Sequence, residues 1–231
     1  MARRPVFLPS DQPPYYRAVP VDFTFYSGFA DSQKRKSVHS LQHAFLAQYP
    51  DERVLEISSA SEETLGTSLS AFLLSIELTD GRTCSVESIF QSSKVFERGG
   101  PYHDLLNKSS REAKKDPRLK NSGRLIAFNA LGQSFPLTPT NYFYNWLYIN
   151  VVHCHSELAD ALMAYSAFTD IAFNPLRSVN CQACAAATYV ALRRGGLLKK
   201  ALTGSKEFLR IVYGEQPVEG KPQAQLDMWG E

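Results

Sequence analysis

Three polar residues at helical spacing, Glu87, Gln91 and Lys94, are the side chains of this sequence best suited to chemistry. They lie four and three residues apart, so on an α-helix they form one line along one face. Apolar neighbours surround this line, namely Val86, Ile89, Phe90 and Phe96. Because a buried charge is costly unless it is paired or used, such a stripe requires an explanation. The spacing predicts a buried helix that carries an acid, an amide and an amine.

The chemistry open to this stripe is nucleophilic and acid–base catalysis. A lysine amine attacks only when it is unprotonated, and desolvation lowers the pKa of lysine. A carboxylate nearby can exchange protons or stabilise positive charge at a sugar carbon. Ser92 and Ser93 leave room beside Lys94. From spacing alone, a structural polar network and a solvated helix face are alternative interpretations.

The elements that must position the stripe are predicted to be mainly helical. Ser85 has the type of an N-cap residue, and Gly99-Gly100-Pro101 ends the helix that follows it. Further helices are predicted at 32–49, 107–121, 141–152, 156–164 and 182–194 and from residue 205. Short strands are predicted at 23–29, 54–57 and 72–78. The expected fold class is mainly α with a few short β-strands.

The domain organisation expected from this pattern is a single catalytic domain at residues 21–204. Residues 1–20 are rich in proline and are predicted to form an extended arm outside the core. Residues 205–231 are predicted to form a C-terminal helix and tail.

Composition indicates an ordinary globular protein without a strong global field. The 231 residues are 44% hydrophobic and 21% charged, with a net charge of +2. No apolar run approaches the roughly 18 residues of a spanning helix, and the N-terminus lacks the apolar stretch of a signal peptide. We therefore expect a cytoplasmic protein with reduced thiols at Cys84, Cys154, Cys181 and Cys184.

The cysteine and glycine patterns predict no metal or cofactor. Cys181-Gln-Ala-Cys184 and His153-Cys154-His155 contain metal-binding residue types, but no second ligand pair follows at finger-like spacing. We interpret Cys181 and Cys184 as small thiols that pack within an alanine-rich helix. The absence of a dinucleotide glycine fingerprint and of a P-loop leaves ordinary dehydrogenase and NTPase functions without support.

A basic run between residues 108 and 124 has two interpretations. It is either a solvated helix face or, with Lys34, a surface that follows a phosphate backbone. The candidate DNA-binding residues are Lys34, Lys108, Arg111, Lys114, Lys115 and Arg118.

The order of three motifs gives the sequence a family resemblance. Ser70-Ala71-Phe72 comes first, an Asp80-Gly81 turn follows, and Glu87-x-x-x-Gln91-x-x-Lys94-x-Phe96 comes last. In order and spacing this resembles the NADAR (YbiA-like) family of N-glycosidases. Ala71 stands where the wider family has asparagine, and the family's Asp-x-x-Trp-Gly element is replaced by the stretch from Asn174 to Asn180.

The sequence is most similar to the subgroup encoded beside DarT-type toxins, which ADP-ribosylate guanine in DNA. The similarity covers roughly residues 20–200. It is carried by Gly28-Phe29, Leu65-Gly66, Phe96 to Tyr102, Ser110 to Asp116, Ser122 to Leu125 and Phe168 to Pro175.

This resemblance implies a single-domain, largely helical YbiA-like fold and an antitoxin that removes ADP-ribose from guanine in DNA. It implies that Glu87 is a general acid/base and that Lys94 forms a Schiff base, without a cofactor. The substrate-binding residues that it implies are Ser70, Phe72, Phe90, Gln91, Gly100, Tyr102, Arg124, Asp170, Asn174 and Asn180. Among these, Ser70, Gln91 and Arg124 would position the ribose and phosphates.

The implied partners are ADP-ribosylated single-stranded DNA, the product ADP-ribose and a DarT-type toxin, with no membrane. Two alternatives remain open at this point. One is an N-glycosidase acting on small ribosylated metabolites of the riboflavin pathway. The other is a nonenzymatic module that binds nucleic acid or the toxin.

Overall fold

The computed structural model describes residues 1–28, 30–176 and 179–214 of the chain. Phe29 and residues 215–231 of the predicted C-terminal segment lie outside the described residues. The chain divides into two compact units. The described part of the first unit is 1–28, 30–70, 155–176 and 179–214, and the described part of the second unit is Ala71–Cys154.

The described residues are about 42% helical and 19% strand, with mixed sheets, so the fold is α/β. The prediction of a mainly α fold was therefore wrong. Strands of three residues are too short to show the alternation by which a strand is recognised, and most strands here have that length. The predicted domain boundaries at residues 20 and 204 stay predictions.

The elements alternate along the chain. The strands are β1 (Ala2–Pro9), β2 (Tyr16–Phe23), β3 (Val54–Glu56), β4 (Ser75–Glu77), β5 (Thr83–Ser85), β6 (Lys94–Phe96), β7 (Leu125–Ala130), β8 (Gln133–Phe135) and β9 (Ala167–Thr169). The helices are α1 (Asp31–Leu46), α2 (Thr64–Ser68), α3 (Val86–Ser92), α4 (Ser110–Lys114), α5 (Arg118–Asn121), α6 (Tyr142–Cys154), α7 (Ser156–Leu162), α8 (Gln182–Arg194), α9 (Leu198–Ala201) and α10 (Ser205–Tyr213), with a 3-10 helix at His103–Asn107. No helix of the described residues is long and apolar enough to cross a membrane.

In the first unit, the N-terminal segment forms a β-hairpin inside the core. β1 pairs with β2 along its whole length in a sheet of order β2-β1-β9-β3. Val6, Leu8 and Val21 are buried against residues of α1. The prediction of an arm outside the core was wrong. Pro20 lies in β2, the edge strand, where a proline is tolerated, and Pro5 and Pro9 lie in β1, which pairs with β9 only at Phe7.

The other helices of this unit place small residues against the sheet. The alanine-rich helix α8 packs on β1 and β9. Cys181 and Cys184 are buried free thiols at its start, as the interpretation of packing thiols predicted. In the second unit, Cys84 is also buried, and Cys154 is exposed.

The second unit combines a β4–β5 hairpin with an antiparallel sheet of order β6-β7-β8. Helix α3 packs against α4 and α6. An aromatic cluster fills this core, with Phe128 stacked on Phe143 and Phe135 against Trp146. This unit contains the stripe residues Glu87, Gln91 and Lys94.

Candidate functional site

Helix α3 positions the acid and the amide of the stripe. The hydroxyl of Ser85 accepts a hydrogen bond from the Ser88 N–H at 3.0 Å, which confirms the predicted N-cap. Gln91 Nε2 donates to Glu87 Oε1 at 2.9 Å, one turn apart along the helix. The two residues are only 5% and 3% exposed, so the interpretation as a solvated face was wrong.

Lys94 lies on a different element from Glu87, because α3 ends at Ser92. The hydroxyls of Ser92 and Ser93 both donate to the carbonyl of Ile89, at 2.9 and 2.6 Å. Side chains that bond the preceding turn compete with continuation of a helix. The chain then enters β6, where Lys94 pairs with Phe128. The prediction of one helix through Lys94 was wrong.

The amine of Lys94 is enclosed by protein. Its side chain is among the largest that are fully buried, and the residue is 2% exposed. Nζ lies 5.0 Å from the ring centroid of Phe90, and that ring packs against Phe128 and Tyr144. Burial lowers the pKa of Lys94 to about 8, while the charge of Glu87 raises it and the charge of Lys114 lowers it. A usable fraction of unprotonated amine therefore exists near neutral pH.

Gly100 and Tyr102 support the main chain around Lys94. Gly100 has φ +81°, and a Cβ there would overlap the carbonyl oxygen of Lys94. The N–H of Tyr102 donates to the carbonyl of Ser92 at 2.9 Å. Both residues hold the segment that carries the amine, and their predicted contact with substrate stays a prediction.

Lys114 lies beside Glu87, although the sequence assigned it only to a basic run that was either a solvated helix face or a DNA-binding surface. Its Nζ is 3.5 Å from Glu87 Oε1 and 5.0 Å from the ring centroid of Phe72. The packing of α4 on α3 brings Lys114 to Glu87 from 27 positions away in the sequence. A spacing argument on one helix could not have found this contact.

The amide of Gln91 has one unsatisfied atom. Its Oε1 is buried and accepts no hydrogen bond from any residue that the structure describes. A buried acceptor without a donor costs free energy, so such an atom requires an explanation. A ligand hydroxyl would supply the missing donor.

Much of the basic run is engaged in ion pairs within the second unit. Lys108 Nζ is 2.9 Å from Asp116, and Arg118 contacts Asp116 at 2.9 Å and Asp104 at 2.6 Å. Arg111 on α4 and Lys115 just after its end are exposed. The DNA-binding role of this run stays a prediction.

Two further predicted residues have carboxylate partners. Arg124 is 3.0 Å from Glu97 and more than half exposed. In the first unit, Lys34 is 3.0 Å from Asp31. Both pairs are solvent-exposed, so each is readily exchanged for another anion.

The remaining predicted substrate-binding residues, Ser70, Asp170, Asn174 and Asn180, belong to the first unit. Ser70 is buried, and Asn180 is partly buried. Asp170 accepts hydrogen bonds from the Ala172 N–H at 3.1 Å and from Gln182 Nε2 at 3.2 Å. Asn174 Oδ1 accepts from the N–H of Leu176 at 3.1 Å, which is the turn role that such residues commonly have.

Glu56 is a buried acid that the sequence analysis missed. It ends β3 and accepts hydrogen bonds from Ser58, Thr169 and the N–H of Ile171, at 2.5, 2.6 and 2.9 Å. Burial raises its pKa. Burial and the charge of Glu56 together raise the pKa of Asp170 to about 7. An acid within the apolar stretch Val54-Leu55-Glu56-Ile57 was the available signal.

The second unit thus brings together Glu87, Gln91 and Lys94 with Phe90 and Lys114. Such a group supplies a nucleophilic amine, a carboxyl for proton exchange and a free acceptor for a hydroxyl. Among the described residues, no group of three or more His, Cys, Asp or Glu is arranged to hold a metal ion.

Comparison with protein families gives one match over nearly the whole chain. The family model described as "DarT1-associated NADAR antitoxin" matches residues 2–221. No curated protein matches the chain.

Proposed function

We propose that this chain, which belongs to the DarT1-associated NADAR antitoxin family, removes ADP-ribose from ADP-ribosylated guanine in DNA. The family associates the chain with a DarT toxin system as its antitoxin, and NADAR proteins are generally glycosidase-like. One observation carries the proposal for this chain. The Lys94 amine is fully buried, has a pKa lowered to about 8, and interacts electrostatically with Glu87.

The proposed reaction begins with opening of the ribose that is attached to guanine. Glu87 in its acid form gives a proton to the ring oxygen, the bond between C1 and that oxygen breaks, and the guanine nitrogen forms a double bond to C1. The unprotonated amine of Lys94 then adds to C1. The bond from C1 to guanine breaks, and the guanine nitrogen takes up the proton that the amine releases.

The product of this step is a Schiff base between Lys94 and ADP-ribose. Water adds to C1, the bond from C1 to Lys94 breaks, and Glu87 is reprotonated. The net reaction is hydrolysis, so neither an oxidant nor a reductant is needed. Free ADP-ribose and repaired guanine are the products.

The unsatisfied Gln91 Oε1 supports a ribose beside this pair, because a sugar hydroxyl is the donor that this atom lacks. Arg124 is the proposed phosphate contact, since its exposed pair with Glu97 can be exchanged for a bidentate phosphate contact. The contacts of Ser70, Asp170, Asn174 and Asn180 with substrate are further parts of the proposal.

The deciding experiment measures release of ADP-ribose from an ADP-ribosylated single-stranded oligonucleotide. Lys94→Ala is expected to lower turnover by about 10³-fold or more, because the nucleophile is removed. Lys199 is an exposed lysine of the first unit, and Lys199→Ala is the matched control, which is expected to retain full activity. Wild-type turnover in Lys94→Ala would exclude the proposed mechanism.

Two further measurements separate the alternative functions. Borohydride reduction during turnover is expected to trap a protein adduct heavier by one ADP-ribose unit, and Lys94→Ala forms none. Turnover of riboflavin-pathway ribosyl-amines with none on modified DNA would favour the metabolite enzyme. Protection of toxin-expressing cells by Lys94→Ala would favour neutralisation of the toxin by contact.

A further inference from the structure

Helix α4 is fixed to α3 through serine hydroxyls rather than by apolar contact alone. The hydroxyls of Ser85 and Ser110 are hydrogen-bonded at 2.8 Å, and Ser110 donates to the carbonyl of Phe72, also at 2.8 Å. Ser88 donates to the carbonyl of Lys108 at 3.2 Å. The first residue of α4 is therefore tied to the N-cap of the helix that carries Glu87.

This attachment determines where Lys114 points. Lys114 is four residues after Ser110, so the two side chains lie on the same face of α4. That face is directed to α3, which explains the 3.5 Å separation between Lys114 Nζ and Glu87 Oε1. The Phe72 ring beneath Nζ, at 5.0 Å, provides a second favourable contact for the cation.

Lys114 and Lys94 differ in burial although both interact with Glu87. The side chain of Lys114 is 45% exposed, whereas that of Glu87 is 7% exposed. Lys114 is thus in contact with solvent, while Lys94 is enclosed. A positive charge close to a buried amine makes protonation of that amine less favourable.

We propose that Lys114 is a positioning residue for the reaction, which holds the Glu87 carboxylate from its solvent side and supplies the positive charge that keeps the Lys94 amine unprotonated. This inference rests on the proposed function for its catalytic meaning. Lys114, which the sequence assigned to a DNA-binding surface, is thereby assigned to the reaction site. The electrostatics agree with this role, because the charge of Lys114 lowers the pKa of the Lys94 amine.

The groups around Lys94 restrict which residues can have this effect. Helix α3 contributes Glu87, and α4 contributes Lys114. Helix α6 brings Tyr144, whose ring packs edge-on against Phe90. Strand β7, paired with β6, contains no titratable side chain. Loss of Lys114 removes a positive neighbour and releases Glu87, and both changes favour protonated Lys94.

The test measures the titration of Lys94 without substrate. Lysine-selective ¹³C NMR follows its side chain with pH, and the signal is assigned by its absence in Lys94→Ala. The wild-type midpoint is expected near 8. Lys114→Gln raises this midpoint by about half a unit or more. Lys114→Arg keeps the charge and restores the wild-type midpoint.

Lys115→Gln is the matched control, because it removes the same charge from the next, exposed position of the chain. An unchanged midpoint in Lys114→Gln, or an equal rise in Lys115→Gln, overturns the inference. In turnover assays, the alkaline shift of the kcat profile in Lys114→Gln should match the NMR shift, with KM unchanged. If the NMR shift occurs but neither the wild type nor any variant releases ADP-ribose, the proposed function is wrong. The effect of Lys114 on the protonation of Lys94 would still stand.

Discussion

Gln91 donates to Glu87 Oε1 at 2.9 Å while its own carbonyl oxygen accepts nothing from the described residues. The amide therefore orients the acid with one end and leaves the other available to a ligand. Gln91→Leu removes both functions within a similar volume. We expect kcat/KM on modified oligonucleotide to fall by about 10-fold or more, because each lost hydrogen bond contributes about 1 kcal/mol. Unchanged kcat/KM would show that no substrate group uses this carbonyl.

The pH dependence of turnover follows from Lys94. Its pKa is lowered to about 8 by burial, and the unprotonated amine is the proposed nucleophile. The proposed first step also needs Glu87 in its acid form, so single-turnover rates should follow the product of the two fractions. The rates should fall as the pH rises above 8, where the fraction of unprotonated Lys94 no longer increases. They are measured from pH 6 to 9.5 in buffers of constant ionic strength. A rate that stays level or increases above pH 8 would contradict the requirement for an acidic Glu87.

Gly100 has a steric requirement that Gly132 of the same unit lacks. Gly100→Ala places a methyl group against the Lys94 carbonyl and adds strain at φ +81°. Gly132→Ala is the matched control, with φ +73° and open space around the added Cβ. The control should lose about 1–2 kcal/mol of unfolding free energy from backbone strain alone. Gly100→Ala should lose clearly more, and its turnover should fall, as measured by urea unfolding and ADP-ribose release.

Asp170 gives the stability of the protein a pH dependence of known sign. Burial and Glu56 raise its pKa to about 7, so the folded state holds a proton that the unfolded state releases near pH 4. Folded protein binds more protons across this range, and the unfolding free energy therefore falls as pH rises from 4 to 7. Asp170→Asn should weaken this fall and give a higher Tm than wild type at pH 8. An equal pH slope in both proteins would show that other groups cause it.

Substitutions of the exposed cations Arg111 and Lys115 test DNA binding separately from stability. Arg111→Gln with Lys115→Gln should reduce the slope of log K against log salt by about 0.7 per lost phosphate contact on single-stranded DNA. Lys108→Gln is expected to affect stability instead, because Lys108 is paired with the buried Asp116. Fluorescence anisotropy at several salt concentrations measures the slopes. Equal slopes in all three proteins would place the DNA elsewhere.

Local sequence patterns anticipated those parts of the site that depend on local structure. The N-cap at Ser85 and the Glu87–Gln91 pair follow from residue type and spacing within one helix, and both are present. The end of α3 was missed because it depends on Ser92 and Ser93 bonding back to Ile89. A serine side chain in a helix can point to solvent or bond back to the preceding turn, and the sequence pattern does not indicate which of these it does.

The rest depended on tertiary contacts that one sequence does not contain. Lys114 reaches Glu87 only because Ser110 is tied to Ser85 and Phe72. The N-terminal hairpin was missed because prolines suggested an arm, whereas the core contacts of Val6 and Leu8 decide its structure. A basic run likewise does not reveal which of its members face carboxylates of the same chain.

The break between α3 and β6 makes the acid and the amine separately adjustable. Glu87 and Gln91 move with a helix, whereas Lys94 moves with a strand whose position is set by pairing with β7. Substitutions at Ala127, which pairs with Val95, should therefore shift the proposed nucleophile by fractions of an ångström with less effect on Glu87. Phe128 is less suitable, because its ring packs against Phe90 of α3. For an engineer who wishes to fit a different glycosyl linkage, β7 is the element to vary, since it contributes neither of the two proposed reacting groups.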